Sequence, residues 1–453
     1  MRRALLAVVS LSLVLTGSGR SLPRAHAQAA KPNVLVIVTD DQRVGTFEMM
    51  PAVRRWLVRR GARYTNTFAT TPLCCPSRAS LLTGLYAHNH GITGNDPLPI
   101  EMEALEPLML QSAMQADGYR TGIFGKYLNG WPLASNPGGW DRWSVTPRIT
   151  FGGDDWNLDG EIRSVERNST SFIGTRAVDF LDEAEDLNDA QPWFAYLGIM
   201  APHAPSAVSE EYADEPVPPI RSTPAMLERD FSDKPRWLRR GSHALISDIE
   251  RGRARQLRSL ISVDDQVTRL MLRLEDLEEL GDTLVVFTSD NGFMWADHGL
   301  RGKLAPYEPS VRVPLVVRWP GRVDPGIRDR RIATLLDLPA TILTAAGVPF
   351  PHEMDGADLL GSSRRRRLLL EFWRVEGRPV PSWLARMTKH AIYVEYLDDA
   401  GQLRTREYYD LRDDPYQLVN VLRDGIRNND PDISTLHRRL RRLSSCAGSE
   451  CFG

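Results

Sequence analysis

Short apolar runs rich in β-branched residues alternate along the chain with longer stretches in which apolar residues recur every three or four positions. The uninterrupted runs, Val34 to Thr39, Thr121 to Phe124, Phe194 to Ile199 and Leu284 to Ser289, predict strands covered on both faces. The longer periodicity predicts amphipathic helices over 101–116, 172–184 and 255–280. This alternation is that of an α/β domain built on a largely buried sheet, in which ligands bind at the carboxyl ends of the strands. Each run ends on chemistry: Asp40-Asp41 after the first, Gly125-Lys126 after the second, Pro202-His203 after the third and Asp290-Asn291 after the fourth. The stretch 204–241 breaks the rhythm with repeated Pro, Arg and acidic residues, and reads as a surface excursion beside the site.

Length changes the picture first, because 453 residues exceed what one core usually serves and predict a large domain with a smaller one. A net charge of −2 offers no global attraction to nucleic acid or to anionic membrane, so no nucleic-acid partner is expected and any anion site must be local. Residues 1–27 read as an export signal: Arg2 and Arg3, an apolar run from Ala4 to Leu15, then Ala25-His26-Ala27 as the cleavage site. No later stretch reaches membrane-spanning length, which predicts an exported protein without a stable membrane span. Export permits disulfides, and Cys446 and Cys451 are spaced to close a small loop, whereas the adjacent Cys74 and Cys75 are poorly placed to bridge each other.

The most specific pattern is Cys74-Cys75-Pro76-Ser77-Arg78, continuing to Leu82-Thr83-Gly84. Pro76 suits a first helical turn and Gly84 a helix stop, so Cys74 is expected just before a helix N-terminus, where the dipole favours an anion. Arg78, four residues on, is expected on the same face as Cys74. Lys is scarce, occurring only at 31, 126, 234, 303 and 389, yet two of these fall in motif positions, where a compact ammonium differs in use from a planar guanidinium.

These residues resemble the signature of the formylglycine-dependent sulfatases, a family of the alkaline-phosphatase-like superfamily. Further marks of the resemblance are Thr39-Asp40-Asp41-Gln42, Gly125-Lys126, Pro202-His203, Ser289-Asp290-Asn291-Gly292, Gly302-Lys303 and Tyr409-Asp410-Leu411. It implies an α/β sandwich with a large central mixed sheet over 28–360 and a small α+β domain over 361–453. It also implies that Cys74 is oxidised to formylglycine by a maturation enzyme. The hydrated aldehyde would offer one hydroxyl to attack sulfur and a second to eject sulfate. Asp40, Asp41, Asp290 and Asn291 supply oxygen donors, which suit a hard cation. The resemblance makes that cation calcium, with Cys74 beside it, and gives Arg78, Lys126, His203 and Lys303 as the catalytic positive and acid–base groups around Cys74.

Within the family the likeness is greatest to N-acetylglucosamine-6-sulfatases, through Leu73-Cys74-Cys75, His88-Asn89-His90, Gly125-Lys126-Tyr127-Leu128-Asn129 and Ser262-Val263-Asp264-Asp265. The expected substrate is therefore a sulfated small molecule or glycan, such as N-acetylglucosamine 6-sulfate. Leu128 stands where many arylsulfatases have a histidine, and Met294 where the nearer relatives have one. Two other readings stay open: a phosphodiesterase or phosphonate monoester hydrolase of the same superfamily, and a noncatalytic glycan-binding protein if Cys74 is not oxidised. The roles of His88, His90 and His298 are open between substrate contact and structure.

Overall fold

A computed structural model describes residues 31–452 of the chain except 148, 189 and 363; the export signal expected over 1–27 lies outside them. The first predicted strand is β1, Asn33–Thr39, buried along its whole length. Val34, Val36 and Val38 point into one apolar core, and Leu35 and Ile37 into another on the opposite face. That two-sided burial is why the run has no polar interruption.

Nine more strands extend this sheet. They are β2 (Ala62–Phe68), β3 (Arg120–Gly125), β4 (Arg142–Val145), β5 (Asp154–Leu158), β6 (Glu161–Val165), β7 (Trp193–Gly198) and β8 (Thr283–Ser289). A two-stranded ribbon, β9 (Met294–Trp295) and β10 (Arg301–Gly302), precedes the last two, β11 (Arg312–Arg318) and β12 (Ile327–Thr334). The order across the sheet is β12-β2-β11-β8-β1-β7-β3-β4-β5-β6. The neighbours β8, β1, β7 and β3 run parallel, whereas β11 and β5 run antiparallel to the strands beside them. The sheet is therefore mixed, as expected, and the four strands with chemistry at their ends share one edge.

Helices cover both faces. On one, Leu81 and Leu82 of α1 (Cys74–Thr83) pack with Val34, Val36 and Val38. On the other, Phe180 of α2 (Ser169–Asn188) and Leu260, Val263 and Val267 of α3 (Ile246–Asp276) pack with Leu35 and Ile37. Each such fully buried aliphatic side chain contributes about 1.5–3 kcal/mol. A fourth helix, α4 (Asp337–Ala346), joins the α1 side and ends at Gly347, whose φ of 66° is the left-handed cap that glycine accepts without strain.

Two helices differ from expectation. The stretch 101–116 is not one helix but Pro99–Leu105, a tight turn at Glu106–Leu108, and Leu110–Ala116. Pro107 has no N–H to continue the ladder, and Met109 is extended. The long helix begins at Ile246, not Arg255, because Asp248 accepts from the Leu245 N–H at 2.7 Å and caps an earlier start. The excursion over 204–241 carries only short helical turns, and it is pinned rather than loose. Lys234 is buried and donates to the carbonyls of Leu418 at 2.6 Å and Gln417 at 3.0 Å.

Asp264, one of the marks of the glucosamine-sulfatase likeness, has a structural task. Its carboxylate accepts from the N–H groups of Ala52 at 2.7 Å and Val53 at 2.8 Å, the donors left free where a helical turn begins. Burial pushes its carboxyl up to about 6 despite those two bonds. Asp264→Ala is expected to cost about 2–3 kcal/mol by stranding two buried donors. Urea unfolding measures this, and an unchanged midpoint would contradict it.

Four antiparallel strands, β13 (Arg367–Phe372), β14 (Ser382–Thr388), β15 (Ala391–Leu397) and β16 (Leu403–Asp410), form a separate sheet. Leu440 and Leu443 of α5 (Ile433–Leu443) pack on Leu369 and Tyr393 of it. Cys446 and Cys451 form the disulfide their spacing allowed. His88-Asn89-His90 serves this junction. The His88 ring meets Glu371 Oε2 at 2.9 Å through Nδ1 and the Cys446 carbonyl at 3.0 Å through Nε2, and Asn89 donates to Asp355 and to the same carbonyl. His90 is buried, and its Nε2 lies 3.1 Å from Ser80 Oγ.

Both partners of the His88 ring are acceptors, so the pair of bonds requires the imidazolium. Burial opposes that charge, but Glu371 raises the pKa above the ordinary 6.5. The contribution to stability is therefore complete below about pH 6.5 and is lost as pH rises through the raised value. Thermal melts from pH 6 to 9 should show this loss in the wild type and not in His88→Gln; equal slopes would remove His88 as its source.

Candidate active site

The shared edge of β8, β1, β7 and β3 gathers the residues that follow them. β1 delivers Asp40 and Asp41, and β8 delivers Asp290 and Asn291, their registers aligned from Asn33 opposite Thr283 to Thr39 opposite Ser289. Asp41 adopts a left-handed φ of 67°, which a short polar residue tolerates, and its N–H reaches Asp290 Oδ1 at 3.3 Å. Ser289 Oγ ties the two strand ends by donating to the Thr39 carbonyl at 3.1 Å and accepting from the Gln42 N–H at 3.0 Å.

Cys74 opens α1 as its first residue and lies buried among these carboxylates, its Sγ 3.4 Å from Asp40 Oδ1. Lys303 donates to Cys74 Sγ at 2.7 Å, to Asp41 Oδ1 at 2.5 Å and to Asn291 Oδ1 at 3.1 Å. Lys126 donates to Asp40 Oδ2 at 2.5 Å. His203 Nε2 stands 3.7 Å from Asp41 Oδ2, and its Nδ1 lies 2.6 Å from the Ala204 carbonyl. A carbonyl only accepts, so Nδ1 carries a proton and Nε2 is the nitrogen turned to the site. Cys75, by contrast, faces away, with its Sγ 3.9 Å from the Asn129 carbonyl.

Arg78 does lie below Cys74 on α1, but its guanidinium is fully buried, with Nε and Nη1 engaged. Nε donates to Asp290 Oδ2 at 2.8 Å and Nη1 to the Lys126 carbonyl at 2.9 Å, while Nη2 lies 3.8 Å from Asp40 Oδ2. Ser77 Oγ also donates to the main-chain carbonyl of Asp290. The Ser-Arg of the motif therefore fixes the far strand end, while its Cys faces the centre.

Three carboxylates and three cations nearly balance. Burial works against the Asp40 charge, yet Lys126 first, then His203 and Lys303, holds its carboxyl below the usual range. Asp290 is pushed up by burial and by the Asp40 charge. Lys303 and Lys126 are raised despite burial, by Asp41 and Asp40 respectively. Burial, reinforced by Asp40, pushes the Cys74 thiol up to about 12, so as a thiol it is neutral. Asp40, Asp41, Cys74 and Asp290 each turn one ligand atom to within 4.8 Å of the others. The carboxylate and amide oxygens suit a hard divalent cation.

Residues 32–348 match the family described as Sulfatase, and residues 296–445 match the one described as N-sulphoglucosamine sulphohydrolase, C-terminal. The chain belongs to the sulfatase family. The chain is 33% identical over 351 residues to the extracellular sulfatase SULF-1 homolog of Drosophila melanogaster. It is 28% identical over 507 residues to human N-acetylglucosamine-6-sulfatase, a match covering 98% of this chain and 90% of that one. It spans 49% of the length of a Caenorhabditis elegans Sulf-1 homolog and 31% of the Drosophila one, with 74% of its own length matched in each.

The same fold occurs in a protein solved in complex with its substrate D-glucosamine-2-N,6-O-disulfate. The TM-score is 0.78 at 21% identity, covering 91% of this chain and 97% of that one. It occurs too in the phosphonate monoester hydrolase of Agrobacterium radiobacter, with a TM-score of 0.65 at 22% identity, covering 87% and 92%. The fold of the chain is thus the alkaline-phosphatase-like α/β sandwich with a large mixed sheet.

All nine residues named from the sequence for the site, Asp40, Asp41, Cys74, Arg78, Lys126, His203, Asp290, Asn291 and Lys303, meet in this one cluster. His88 and His90 do not join it, and neither does His298, which binds Glu228 at 2.6 Å and stacks on Tyr307. Sequence reasoning gave no role to Gly198, the register partner of Gly125 where β7 and β3 end. A Cβ on Gly198 would lie 2.1 Å from the Lys126 carbonyl and 3.0 Å from Arg78 Nη1, so the close approach of these groups requires glycine there. A glycine near the end of an otherwise apolar run was the available signal.

Proposed function

We propose that this protein is an exported hydrolase of sulfate monoesters on sugars, with N-acetylglucosamine 6-sulfate as the expected substrate. The observation that carries the reading is the placement of Cys74, and not Cys75, between Lys303 and three buried carboxylates. Conversion of Cys74 to formylglycine by a maturation enzyme would supply a geminal diol, able both to attack sulfur and to release sulfate afterwards. A calcium ion held by Asp40, Asp41, Asp290 and Asn291 would supply Lewis acidity toward sulfate oxygen. Human N-acetylglucosamine-6-sulfatase, matched over most of both chains, supports the substrate. The disulfide between Cys446 and Cys451 and the extracellular relatives support export. No described helix is long and apolar enough to cross a membrane.

The chain's own groups divide the remaining work. Lys303 orients the group at position 74 and neutralises charge beside it, and Lys126 fixes Asp40. His203, with Nδ1 held by the Ala204 carbonyl, presents Nε2 as the atom that hands a proton to the departing alcohol. Arg78 positions Asp290 and leaves substrate contact to the lysines and His203.

Protein produced with a formylglycine-generating enzyme should release sulfate from N-acetylglucosamine 6-sulfate with a higher kcat/KM than it releases phosphate from the matched phosphate ester. Exhaustive chelation should lower that rate, and calcium should restore it. Preference for phosphodiesters or phosphonates by a wide margin would favour the superfamily alternative. Binding of the sulfated sugar without turnover by matured protein would favour a noncatalytic role.

A further inference from the structure

A cleft of about 530 Å³ adjoins the site and is walled by the segments that carry its chemistry. Ala204, Pro205 and Ser206 follow His203, Phe293 lies two residues beyond Asn291, and Arg301 two residues before Lys303. At 3.8 Å per residue along the chain, the backbone of these walls begins within two residues of the backbone that carries His203, Asn291 and Lys303. The opposite wall is the first part of α3, from Ser247 to Gln256. The volume falls in the range of small-ligand pockets.

This cleft, beside the residues of the site, carries uncompensated positive charge. Arg251 and Arg255 stand four residues apart on α3, so both guanidinium stems leave from one face, an arrangement of like charges that works against the helix. Arg301, from β10, lies across the same turn: its Nη2 is 3.4 Å from where a Cβ on Gly252 would stand. These three arginines are exposed and make no ion pair among the described residues. The fourth arginine of the cleft, Arg253, is otherwise engaged, donating to the Pro218 carbonyl at 2.8 Å and covering the Trp295 ring at 5.1 Å. The one acidic residue in the lining, Asp248, already caps Leu245.

We propose that Arg251, Arg255 and Arg301 form a subsite for a second anionic group of the substrate, distinct from the sulfate that is cleaved. The inference rests on the sulfatase reading and deepens it: the preferred substrate is a sulfated sugar that carries another sulfate or a carboxylate on itself or on an adjoining sugar. Guanidinium groups match both anions with paired hydrogen bonds, and they do so best where no protein carboxylate competes. Such a subsite contributes binding remote from the reacting sulfur, so it acts mainly on KM.

The test compares two substrates with the same scissile ester, N-acetylglucosamine 6-sulfate and a disaccharide in which that sugar is joined to a sulfated uronate. The matured wild type is expected to favour the disaccharide by about tenfold or more in kcat/KM, chiefly through KM, as for one or two charge-assisted contacts. The combined variant Arg251→Gln, Arg255→Gln and Arg301→Gln is expected to lose most of that preference through a rise in KM. Its three sites are exposed, and thermal melting checks that the fold is kept. Equal kcat/KM for the two substrates in the wild type, or full preference kept by a folded variant, would overturn the subsite alone. Absence of sulfate release from both substrates would instead remove the sulfatase reading on which it stands.

Discussion

Cys74→Ala is expected to abolish steady sulfate release, with a loss on the order of 10⁴-fold or more in kcat, because it removes the atom from which the nucleophile is made. Cys75→Ala should keep most of the activity. The two cysteines are neighbours in sequence and both are buried, so composition and exposure do not separate them. Direction does. Cys74 Sγ faces Asp40 and Lys303, whereas Cys75 Sγ faces the Asn129 carbonyl in the core beneath α1. Cys75→Ala is expected to cost only about 1 kcal/mol of stability, the consequence of removing one small buried group. Cys74→Ser separates nucleophilicity from release: a serine hydroxyl has no second oxygen on its carbon and cannot re-form an aldehyde. Turnover by Cys74→Ser at the wild-type rate would contradict the account.

Asp290→Ala has the second-largest expected effect, and it acts on fold and function together. The carboxylate pairs with a fully buried Arg78 at 2.8 Å, and its own backbone is held by Ser77. Its removal leaves a guanidinium buried with its nearest remaining carboxylate, Asp40, at 3.8 Å. Breaking a buried pair on one side costs about 3–5 kcal/mol. Activity should fall by roughly 10³-fold or more, through lost orientation of the Cys74 group and a lost cation ligand. Asp290→Asn keeps the shape and a hydrogen-bonding oxygen, so it should recover much of the stability and little of the activity. Kinetics and chemical denaturation of both variants read the two effects separately. A fully active, fully stable Asp290→Ala would exclude Asp290 from either role.

Most of the central sheet was legible in the sequence because its middle strands are buried on both sides. Val34 to Val38 and Leu284 to Phe287 cannot carry polar residues without burying them, so each run announces a strand and its end announces a site. The strand order was not legible. That β8 lies directly beside β1, putting Asp290 next to Asp40, follows from pairing across some 250 residues of chain. Arg78 illustrates the consequence: local spacing placed it below Cys74, but its partner Asp290 lies 212 positions away.

The same limit explains the marks that seemed to point to substrate. His88-Asn89-His90 and Asp264 look like site residues in the chain, yet they bind Glu371, Cys446, Ser80 and the start of a helical turn at Ala52. Likeness to a subfamily in such residues reports a shared scaffold as readily as a shared ligand. The arginines of the adjoining cleft escaped notice for the opposite reason. In a chain rich in arginine, Arg251, Arg255 and Arg301 stand out only once the fold gathers them in one cleft without an ion pair among the described residues.

The central claim is that position 74, and no other, carries the reactive group. Fragmentation mass spectrometry of the peptide containing Cys74 and Cys75, from protein made with and without a maturation enzyme, tests it directly. Replacing a thiol by an aldehyde lowers the residue mass by about 18 Da. The account predicts that this loss appears at Cys74 alone, and that sulfate release rises in proportion to its occupancy. The loss at Cys75, or full sulfate release by protein in which Cys74 remains an intact thiol, would contradict it.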